Sequence, residues 1–222
     1  MNPRRAGPRV IALDGPAAAG KGTLARRLAA HLGYAYLETG LLYRAVGLKV
    51  LRAHADPADA QAAVKAAKAL AAGDLDGPEL RGDEAANAAS EVAAIPEVRR
   101  VLVNFQREFA AHPPGGKGAV IDGRDIGTVV CPEAEVKFFV TASVETRAER
   151  RLKELRERGI AGIHSRVLRD MKDRDARDSQ RDTAPLRMAD DAILLDTTEL
   201  DADEVFAAAL KSIESRVRAG SD

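Results

Sequence analysis

Four short runs of apolar residues stand out along the chain, and longer stretches with helical spacing separate them. The runs are RVIALD at residues 9–14, AVID at 119–122, VKFFV at 136–140 and AILLD at 192–196. Buried parallel strands have continuous apolar sequences, because both faces of the sheet are covered. The alternation of such runs with helices therefore predicts an α/β fold with a parallel β-sheet flanked by helices.

The helical stretches carry their own signals. After the first strand, leucines recur at every fourth residue from Leu24 to Leu32, which predicts a helix with one core-facing stripe. Residues 57–72 are alanine-rich, and Pro96 suits the first turn of a helix that ends before the breaker PPGGKG. We therefore expect residues 41–112 to form a helical insert between two strands of the sheet.

Composition and charge narrow the class of protein. The chain has 222 residues, 45% of them apolar, which suits one main domain over residues 1–222. No apolar run approaches the roughly 18 residues needed to span a bilayer, and MNPRRAGPRV reads as a short tail without a secretory signal. The single cysteine fits a reducing compartment, so we expect a cytoplasmic protein. The 34 basic and 34 acidic residues cancel, so no global field favours nucleic acid.

The strongest local signal is GPAAAGKGT at residues 15–23, directly after the first predicted strand. A glycine-rich turn followed by a lysine at the start of a helix is typical of a phosphate-binding loop, in which backbone N–H groups surround the phosphates. The usual pattern places a hydroxyl directly after the lysine. Here Gly22 follows Lys21 and the hydroxyl belongs to Thr23. We therefore expect no direct protein ligand for magnesium from this loop.

A second signal is VIDGRDIGTVV at residues 120–130, where a predicted strand ends in Asp122 and leads into Arg124 and Asp125. An Asp-Gly-Arg-Asp turn by itself is often a solvated loop. The carboxyl ends of parallel strands, however, line the ligand cleft of α/β sheets, which places this turn beside the phosphate loop.

A third signal is RDMKDRDARDSQRDTAPL at residues 169–186. Its spacing predicts one helical face that carries Arg174, Arg177, Asp178 and Arg181. Such a polar helix is often only a solvated surface with ion pairs between successive turns. The phosphate loop favours the alternative, in which arginines close over transferred phosphate.

Two glycines precede this helix, and they divide the predicted domain further. Gly159 and Gly162 could act as the hinge of a lid formed by residues 159–183, or they could form a simple turn between helices. The predicted core then comprises about 9–40, 113–158 and 184–218.

Five motifs occur in order along nearly the whole chain: GPAAAGKGT, ETGLLYR, NAASEVAAIPEVR, VIDGRDIGTVVCP and RDARDSQRDTAPL. Together they resemble the bacterial cytidylate kinase family of nucleoside monophosphate kinases. The resemblance implies a P-loop NTPase-like fold with a helical monophosphate-binding insert and a lid. It also implies transfer of the γ-phosphoryl group of ATP to CMP or dCMP, with Mg²⁺. Many relatives have a small β-sheet arm where this chain has only DLDGPELRG at residues 74–82.

The resemblance also implies the site residues. It places ATP on Gly15, Pro16, Ala17, Ala18, Ala19, Gly20, Lys21, Gly22 and Thr23. It places the monophosphate nucleotide among Thr39, Tyr43, Arg44, Ser90, Arg99, Arg124, Asp125, Arg174, Asp178 and Arg181. The residues with catalytic roles are Lys21, Arg124, Arg174, Arg177 and Arg181. Of these, Arg124 and Arg181 hold the acceptor phosphate together with Arg44, and Arg174 or Arg177 stabilises the moving group.

The chemistry of cytosine agrees with this placement. The base offers an amino donor beside ring and carbonyl acceptors, so Ser90 and Asp125 could accept from the amino group while Arg99 donates. Uracil has an oxygen in place of that amino group, and a carboxylate facing it would be left unpaired.

Two rival functions follow from the same residues. One is another kinase of this architecture, such as adenylate or shikimate kinase, although the NAAS and GRDIG motifs favour cytidylate kinase. The other is a regulatory module that holds ATP and uses its arginine face to dock a partner. The zero net charge and the lack of an aromatic stacking platform argue against RNA as that partner. We expect small-molecule nucleotides as partners, no nucleic acid or membrane, and a monomer.

Overall fold

A sheet of five parallel strands lies at the centre of the part of the chain that the structure describes, residues 9–219. In this computed structural model the strands are β1 (Val10–Asp14), β2 (Ala35–Glu38), β3 (Ala119–Asp122), β4 (Val136–Thr141) and β5 (Ile193–Asp196). They are paired in the order β2-β3-β1-β4-β5. The predicted parallel α/β fold is confirmed, whereas residues 1–8 of the predicted N-terminal tail lie outside the described residues.

The strand β2 was missing from the sequence prediction. Its sequence AYLE mixes polar and apolar residues, and of the four only Leu37 is buried. β2 lies at an edge of the sheet with three half-buried side chains, so burial did not impose a continuous apolar run on it. The other four strands begin and end within one residue of the predicted bounds.

Helices cover both faces of the sheet. Alternate residues of β1 point to opposite faces, and they belong to two different apolar clusters. On one face Leu13 packs with the helices α1 (Lys21–Leu32) and α8 (Ala202–Ala219). On the other face Ala12 packs in a cluster with Val103 of a later helix.

Helices also fill most of the predicted insert. They are α2 (Thr39–Arg52), α3 (Ala60–Lys68), α4 (Asp83–Val92) and α5 (Pro96–Ala111). The helix predicted for residues 57–72 is shorter, because the side chain of Asp59 accepts from Gln61 N and Ala62 N and starts α3 there. Around residues 74–82 the chain forms two 3₁₀ turns, Ala72–Leu75 and Pro78–Arg81.

Close packing between α2 and α4 depends on Gly47. A Cβ atom at this position would lie 2.7 Å from Ala88 Cβ and 3.0 Å from its backbone carbon. These atoms cannot rotate away, since they belong to the backbone and first side-chain atom of a helix. Gly47 therefore sets the distance between α2 and the helix that carries Ser90.

We expect Gly47→Ala to lower the free energy of unfolding by about 1–3 kcal/mol, because overpacking forces the two helices apart. The matched control is Gly40→Ala in the same helix, where an added Cβ would meet nothing within 4 Å. This control should be neutral or gain up to about 1 kcal/mol from helix propensity. Urea unfolding of both variants checks the prediction, and equal stabilities would contradict it.

The helices α6 (Val144–Glu157) and α7 (His164–Gln180) form a hairpin after β4. Their contact buries Leu152, Leu155 and Met171. Of the two predicted hinge glycines, Gly159 has φ +73° just after α6, a conformation that favours glycine. None of the described helices combines the length and the apolar character needed to cross a membrane.

Candidate active site

The loop between β1 and α1 has the backbone of an anion site. Gly15 has φ +142°, and a Cβ there would lie 1.9 Å from the carbonyl oxygen of Val140, so no other residue fits. Gly20 has φ +91° directly before α1 begins. These conformations turn backbone N–H groups toward the N-terminus of α1, where the helix dipole adds partial positive charge. The loop can therefore hold phosphate groups without further side chains.

Lys21 begins α1 and is buried behind this loop. Its Nζ donates to the carbonyl oxygen of Pro16 at 2.7 Å. Burial, reinforced by the positive charge of Arg124, lowers the pKa of Lys21 to about 7, against the opposing pull of Asp122 and Asp14. The two carboxylates near this ammonium do not fully compensate for its burial. A bound polyphosphate would supply the missing negative charge.

Two aspartates at strand ends complete this edge of the sheet. Asp122 ends β3, accepts from the Tyr36 hydroxyl at 3.1 Å, and has a pKa raised to about 6 by burial. Asp14 ends β1, and its two carboxylate oxygens each accept a backbone N–H at 2.7 Å, from Ile126 and Gly127. Burial raises the pKa of Asp14 to about 6 as well.

The sequence analysis gave no role to Asp14 or to the Asp122 side chain. A signal was present, because both residues are the last residue of a buried strand, where the cleft of a parallel sheet lies.

The turn after β3 is held in an unusual backbone conformation. Val130 N donates to Asp125 O at 3.1 Å, and Cys131 N donates to Ile126 O at 2.7 Å, which makes one turn of π-helix. Such turns are rare and occur often at functional sites. Here the turn, anchored by Asp14, directs Asp125 into the protein and Arg124 toward α7.

Asp125 lies between two arginines. Its Oδ2 accepts from Arg99 of α5, and its Oδ1 lies 3.8 Å from Arg181 Nη2. All three side chains are at most 7% exposed. Burial raises the pKa of Asp125, while Arg99 and Arg181 oppose the rise. This cluster joins α5, the turn after β3 and the segment that follows α7 at one point.

Polar groups are also buried in the predicted insert. Ser90 of α4 is buried, and its Oγ has no hydrogen-bond partner among the described residues. The guanidinium carbon of Arg99 lies 5.7 Å from the centre of the Tyr43 ring. Unpartnered buried hydroxyls are rare in folded proteins and indicate a missing ligand or water.

The remaining predicted residues of α2 are already engaged. Thr39 Oγ1 donates to the carbonyl oxygen of Asp122 at 2.7 Å, so this hydroxyl fixes α2 to the end of β3. Arg44 Nη1 donates to the carbonyl oxygen of Leu80 at 2.8 Å. The short 3₁₀ turn around Leu80 therefore positions Arg44.

The predicted arginine face of the lid helix is wrong in part. α7 ends at Gln180, so Arg181 lies beyond the helix, where its Nε donates to the carbonyl oxygen of Ala184 at 2.8 Å. Arg177 is exposed and makes no ion pair within residues 9–219. Arg174 and Asp178 do face the site.

Arg174 and Asp178 meet the turn after β3. Asp178 is buried and accepts from Arg124 Nε at 2.9 Å. Burial and the positive charge of Arg124 lower the pKa of Arg174 to about 9. Within the described part of the chain, Arg174 Nε and Arg181 Nη2 are buried donors without a hydrogen-bond partner. These donors are suited to phosphate oxygens.

The site thus combines a phosphate loop, a buried lysine and a ring of arginines at one edge of the sheet. Arg44, Arg124 and Arg174 repel one another. Burial lowers the pKa of Arg44 and of Arg174, and the positive charge of Arg124 lowers both further. Such a cluster is stable only with anions nearby. It can bind two phosphorylated ligands and neutralise charge between them.

Two solved structures illustrate the similarity of the fold. A gluconokinase from Sinorhizobium meliloti 1021 has a TM-score of 0.53 at 14% identity, covering 97% of this chain and 97% of its own. An uncharacterized protein from Eubacterium ventriosum ATCC 27560 has a TM-score of 0.55 at 17% identity, covering 93% of this chain and 98% of its own. At such identities these likenesses establish the fold alone.

Sequence comparison is more specific. The family model described as cytidylate kinase matches residues 11–215. A cytidylate kinase from Paramagnetospirillum magneticum is 66% identical over 93% of this chain and 98% of the relative. A cytidylate kinase from Rhodospirillum rubrum is 61% identical over 90% of this chain and 95% of the relative. The chain therefore belongs to the cytidylate kinase family.

Proposed function

We propose that the site at the carboxyl edge of the sheet transfers the γ-phosphoryl group of ATP to CMP or dCMP, giving ADP and CDP or dCDP. Membership of the cytidylate kinase family makes the chain an ATP-dependent nucleoside monophosphate kinase. The observation that carries the assignment of residues is the pair of buried donors without a hydrogen-bond partner among the described residues, Arg174 Nε and Arg181 Nη2.

ATP binds on residues 15–23 in this proposal. The backbone N–H groups of the loop hold the β- and γ-phosphates, and Lys21 leaves the carbonyl of Pro16 to bridge them. Thr23 is exposed at the start of α1 and contacts phosphate.

The base of CMP lies against Ser90, Arg99 and Asp125. Ser90 Oγ lacks a partner within the described chain, and the Asp125 carboxylate is buried beside Arg99, so we assign both as acceptors for the cytosine amino group. Arg99 is held by Asp125 and donates to the acceptors of the base. Tyr43 and Thr39 form the wall of this pocket.

The acceptor phosphate binds Arg44, Arg124 and Arg181, with Asp178 fixing the guanidinium of Arg124. Arg174 stabilises the phosphoryl group in transit. From sequence, either Arg174 or Arg177 could have this role. We assign it to Arg174 because Arg177 is exposed on the outer side of α7.

Little covalent chemistry is required of the side chains. The phosphate oxygen of CMP attacks in line, while Lys21 and the arginines neutralise the charge that spreads over the transferred group. α7 lies over the site and excludes water, which otherwise hydrolyses ATP without transfer.

Magnesium fits this site as an ion held mainly by nucleotide. A Cβ at Gly22 would lie 3.5 Å from Asp122 Oδ2, so this carboxylate oxygen faces the loop position that lacks a hydroxyl. Within the described residues, no group of three His, Cys, Asp or Glu side chains could hold a metal. One carboxylate suits an ion that keeps waters and phosphates as ligands. Mg²⁺ would supply positive charge to the phosphates, and Asp122 would hold it through water.

We also propose the division of the domain and its state. Residues 41–112 form the monophosphate-binding insert and residues 159–183 the lid, with the core as expected from sequence. The protein works as a monomer in the cytoplasm. Sedimentation with and without CMP tests whether the protein is a monomer.

A coupled assay of ADP formation with CMP, dCMP, UMP, AMP and shikimate tests the substrate. We expect CMP and dCMP to accelerate ATP turnover most. Preference for AMP or shikimate would contradict the proposal, and so would ADP formation that no acceptor stimulates.

ATP binding is expected to take up a proton at Lys21. The pKa of Lys21 is about 7 without ligand, so at pH 8 about nine in ten of these amines are neutral. The phosphates favour the ammonium, so its pKa rises on binding and about 0.9 proton is taken up at pH 8. Calorimetry in buffers of different ionisation enthalpy measures this number.

The control for proton uptake is Lys21→Arg. A guanidinium stays protonated at pH 8, so uptake should fall to near zero in this variant. Equal uptake in both proteins would contradict the assignment of the proton to Lys21.

A further inference from the structure

Arg147 of α6 makes three contacts that the roles proposed above do not use. Its Nε donates to the carbonyl oxygen of Ala142 at 2.9 Å. Nη1 donates to the carbonyl oxygen of Ala17 at 3.4 Å, and Nη2 donates to Asp175 Oδ2 at 2.7 Å. Ala17 belongs to the phosphate loop and Asp175 to α7. A single buried guanidinium therefore connects the proposed ATP site to the lid helix.

A second contact joins the same two parts. Ala18 of the phosphate loop packs against the apolar cluster between α6 and α7, which includes Leu152 and Met171. Ala18 has φ +58°, a conformation that is uncommon for alanine and that the surrounding structure must hold in place. The loop and the α6–α7 hairpin are thus fitted to each other through both polar and apolar atoms.

The position of Asp175 on α7 links this connection to Arg174. Asp175 directly follows Arg174, whose side chain faces the site. Its Oδ1 is buried without a partner among residues 9–219, so Arg147 is its one strong contact there. A shift of Asp175 would move Arg174 by a similar distance, since neighbouring residues of a helix move together.

Electrostatics explain why such a contact is needed. α7 brings Arg174 close to Arg124 and Arg44, and burial together with these charges lowers the pKa of Arg174. Two ion pairs to the rest of the protein oppose this repulsion along α7. Asp178 pairs with Arg124, which is assigned to the acceptor phosphate, and Asp175 pairs with Arg147, which contacts the phosphate loop.

We propose that Arg147 and Asp175 are positioning residues that fix the lid helix against the phosphate loop, so that Arg174 reaches the phosphoryl group between the two nucleotides. Neither residue touches the reacting atoms, and both act through Arg174. The inference rests on the proposed function, because that function gives Arg174 its role.

The test is the effect of Asp175→Asn on kcat, with and without Arg174. In the otherwise unchanged protein we expect kcat to fall about tenfold, while KM for ATP and for CMP changes by less than about twofold. In an Arg174→Met background the same substitution should lower kcat by less than about twofold, since residues that act as a unit are not additive. The matched control is Asp173→Asn on the exposed side of α7, where kcat should stay within about twofold.

A second variant separates positioning from stability. Asp175→Asn leaves Arg147 buried without its partner, which destabilises the fold. The double variant Arg147→Leu with Asp175→Leu removes both charges and should fold, as its thermal unfolding will show. Its kcat should still fall about tenfold.

Two results would overturn the inference. One is an equal loss of kcat from Asp175→Asn with and without Arg174. The other is a loss confined to Tm, with normal kcat per folded molecule in both variants. The proposed function fails separately, if the unaltered protein shows no ADP formation stimulated by CMP.

Discussion

Replacing Lys21 by methionine is expected to lower kcat by about 1,000-fold, a loss of about 4 kcal/mol in transition-state stabilisation. Methionine has nearly the length of lysine and keeps its apolar stem, so the change removes the charge and little packing. The ammonium lies at the start of α1, where the β- and γ-phosphates are proposed to bind. Among the described residues Lys137 is the other buried lysine, and it is held by Asp191 and Pro132. No other lysine among the described residues can therefore take over its role.

The charge on Lys21 matters most while the phosphoryl group moves. Negative charge then shifts toward the bridging oxygen of the leaving ADP, and a fixed cation in a site with little water stabilises it strongly. We therefore expect most of the loss in kcat, with a smaller rise in KM for ATP, whose phosphates keep the backbone N–H groups of the loop.

Steady-state kinetics with saturating CMP measures this loss. The control is Lys153→Met on the exposed side of α6, where the same substitution should change kcat by less than about twofold. Intact binding of CMP to Lys21→Met, measured by calorimetry, will show that the variant is folded. A loss below about tenfold would show that Lys21 does not bridge the transferred group.

Much of the fold follows from local patterns in the sequence. The strands β1, β3 and β4 are continuous apolar runs because they lie inside the sheet, and β5, at one edge, packs Leu195 and Ile193 against the cluster of α1 and α8. The phosphate loop is recognisable from its local sequence, although the Val140 carbonyl that excludes a side chain at Gly15 is distant along the chain. The strand β2, at the other edge, escaped prediction because its sequence AYLE has no continuous apolar run.

The lid shows where sequence periodicity fails. A spacing of four residues from Arg177 to Arg181 suits a helical face, yet the helix stops at Gln180. The chain turns there because Leu186 N donates to the carbonyl oxygen of Asp178 at 2.7 Å, and Ala184 has φ +50°. Neither contact follows from composition or spacing, since both depend on the folded turn.

The residues of the base pocket came from the family resemblance. Arg99 and Asp125 are 26 positions apart and lie on α5 and on the turn after β3. Only the packing of the insert against the sheet brings them together. The backbone anchor at Asp14 and the link at Arg147 likewise join distant segments, and no motif in the sequence indicated either.

Replacing Asp125 by asparagine is expected to lower the preference for CMP over UMP by about 100-fold. The buried carboxylate can accept from the amino group of cytosine, whereas it repels the O4 carbonyl that uracil presents at the same position. An asparagine amide can donate to that carbonyl, so UMP gains as CMP loses. The ratio of kcat/KM for the two substrates, measured on one preparation, cancels any loss of folded protein.

Asp178→Asn is the matched control for this change in selectivity. Asp178 is a buried carboxylate paired with an arginine, as Asp125 is, but its partner Arg124 is assigned to the acceptor phosphate that CMP and UMP share. Its loss should therefore lower kcat/KM for both substrates by similar factors and leave their ratio within about twofold of the original. If Asp125→Asn behaves in the same way, Asp125 serves to hold Arg99 and Arg181, and recognition of the base must lie with Ser90 and Arg99. A selective gain for UMP shows that Asp125 sets the discrimination between the amino group and the carbonyl, either directly or through the arginines that it holds.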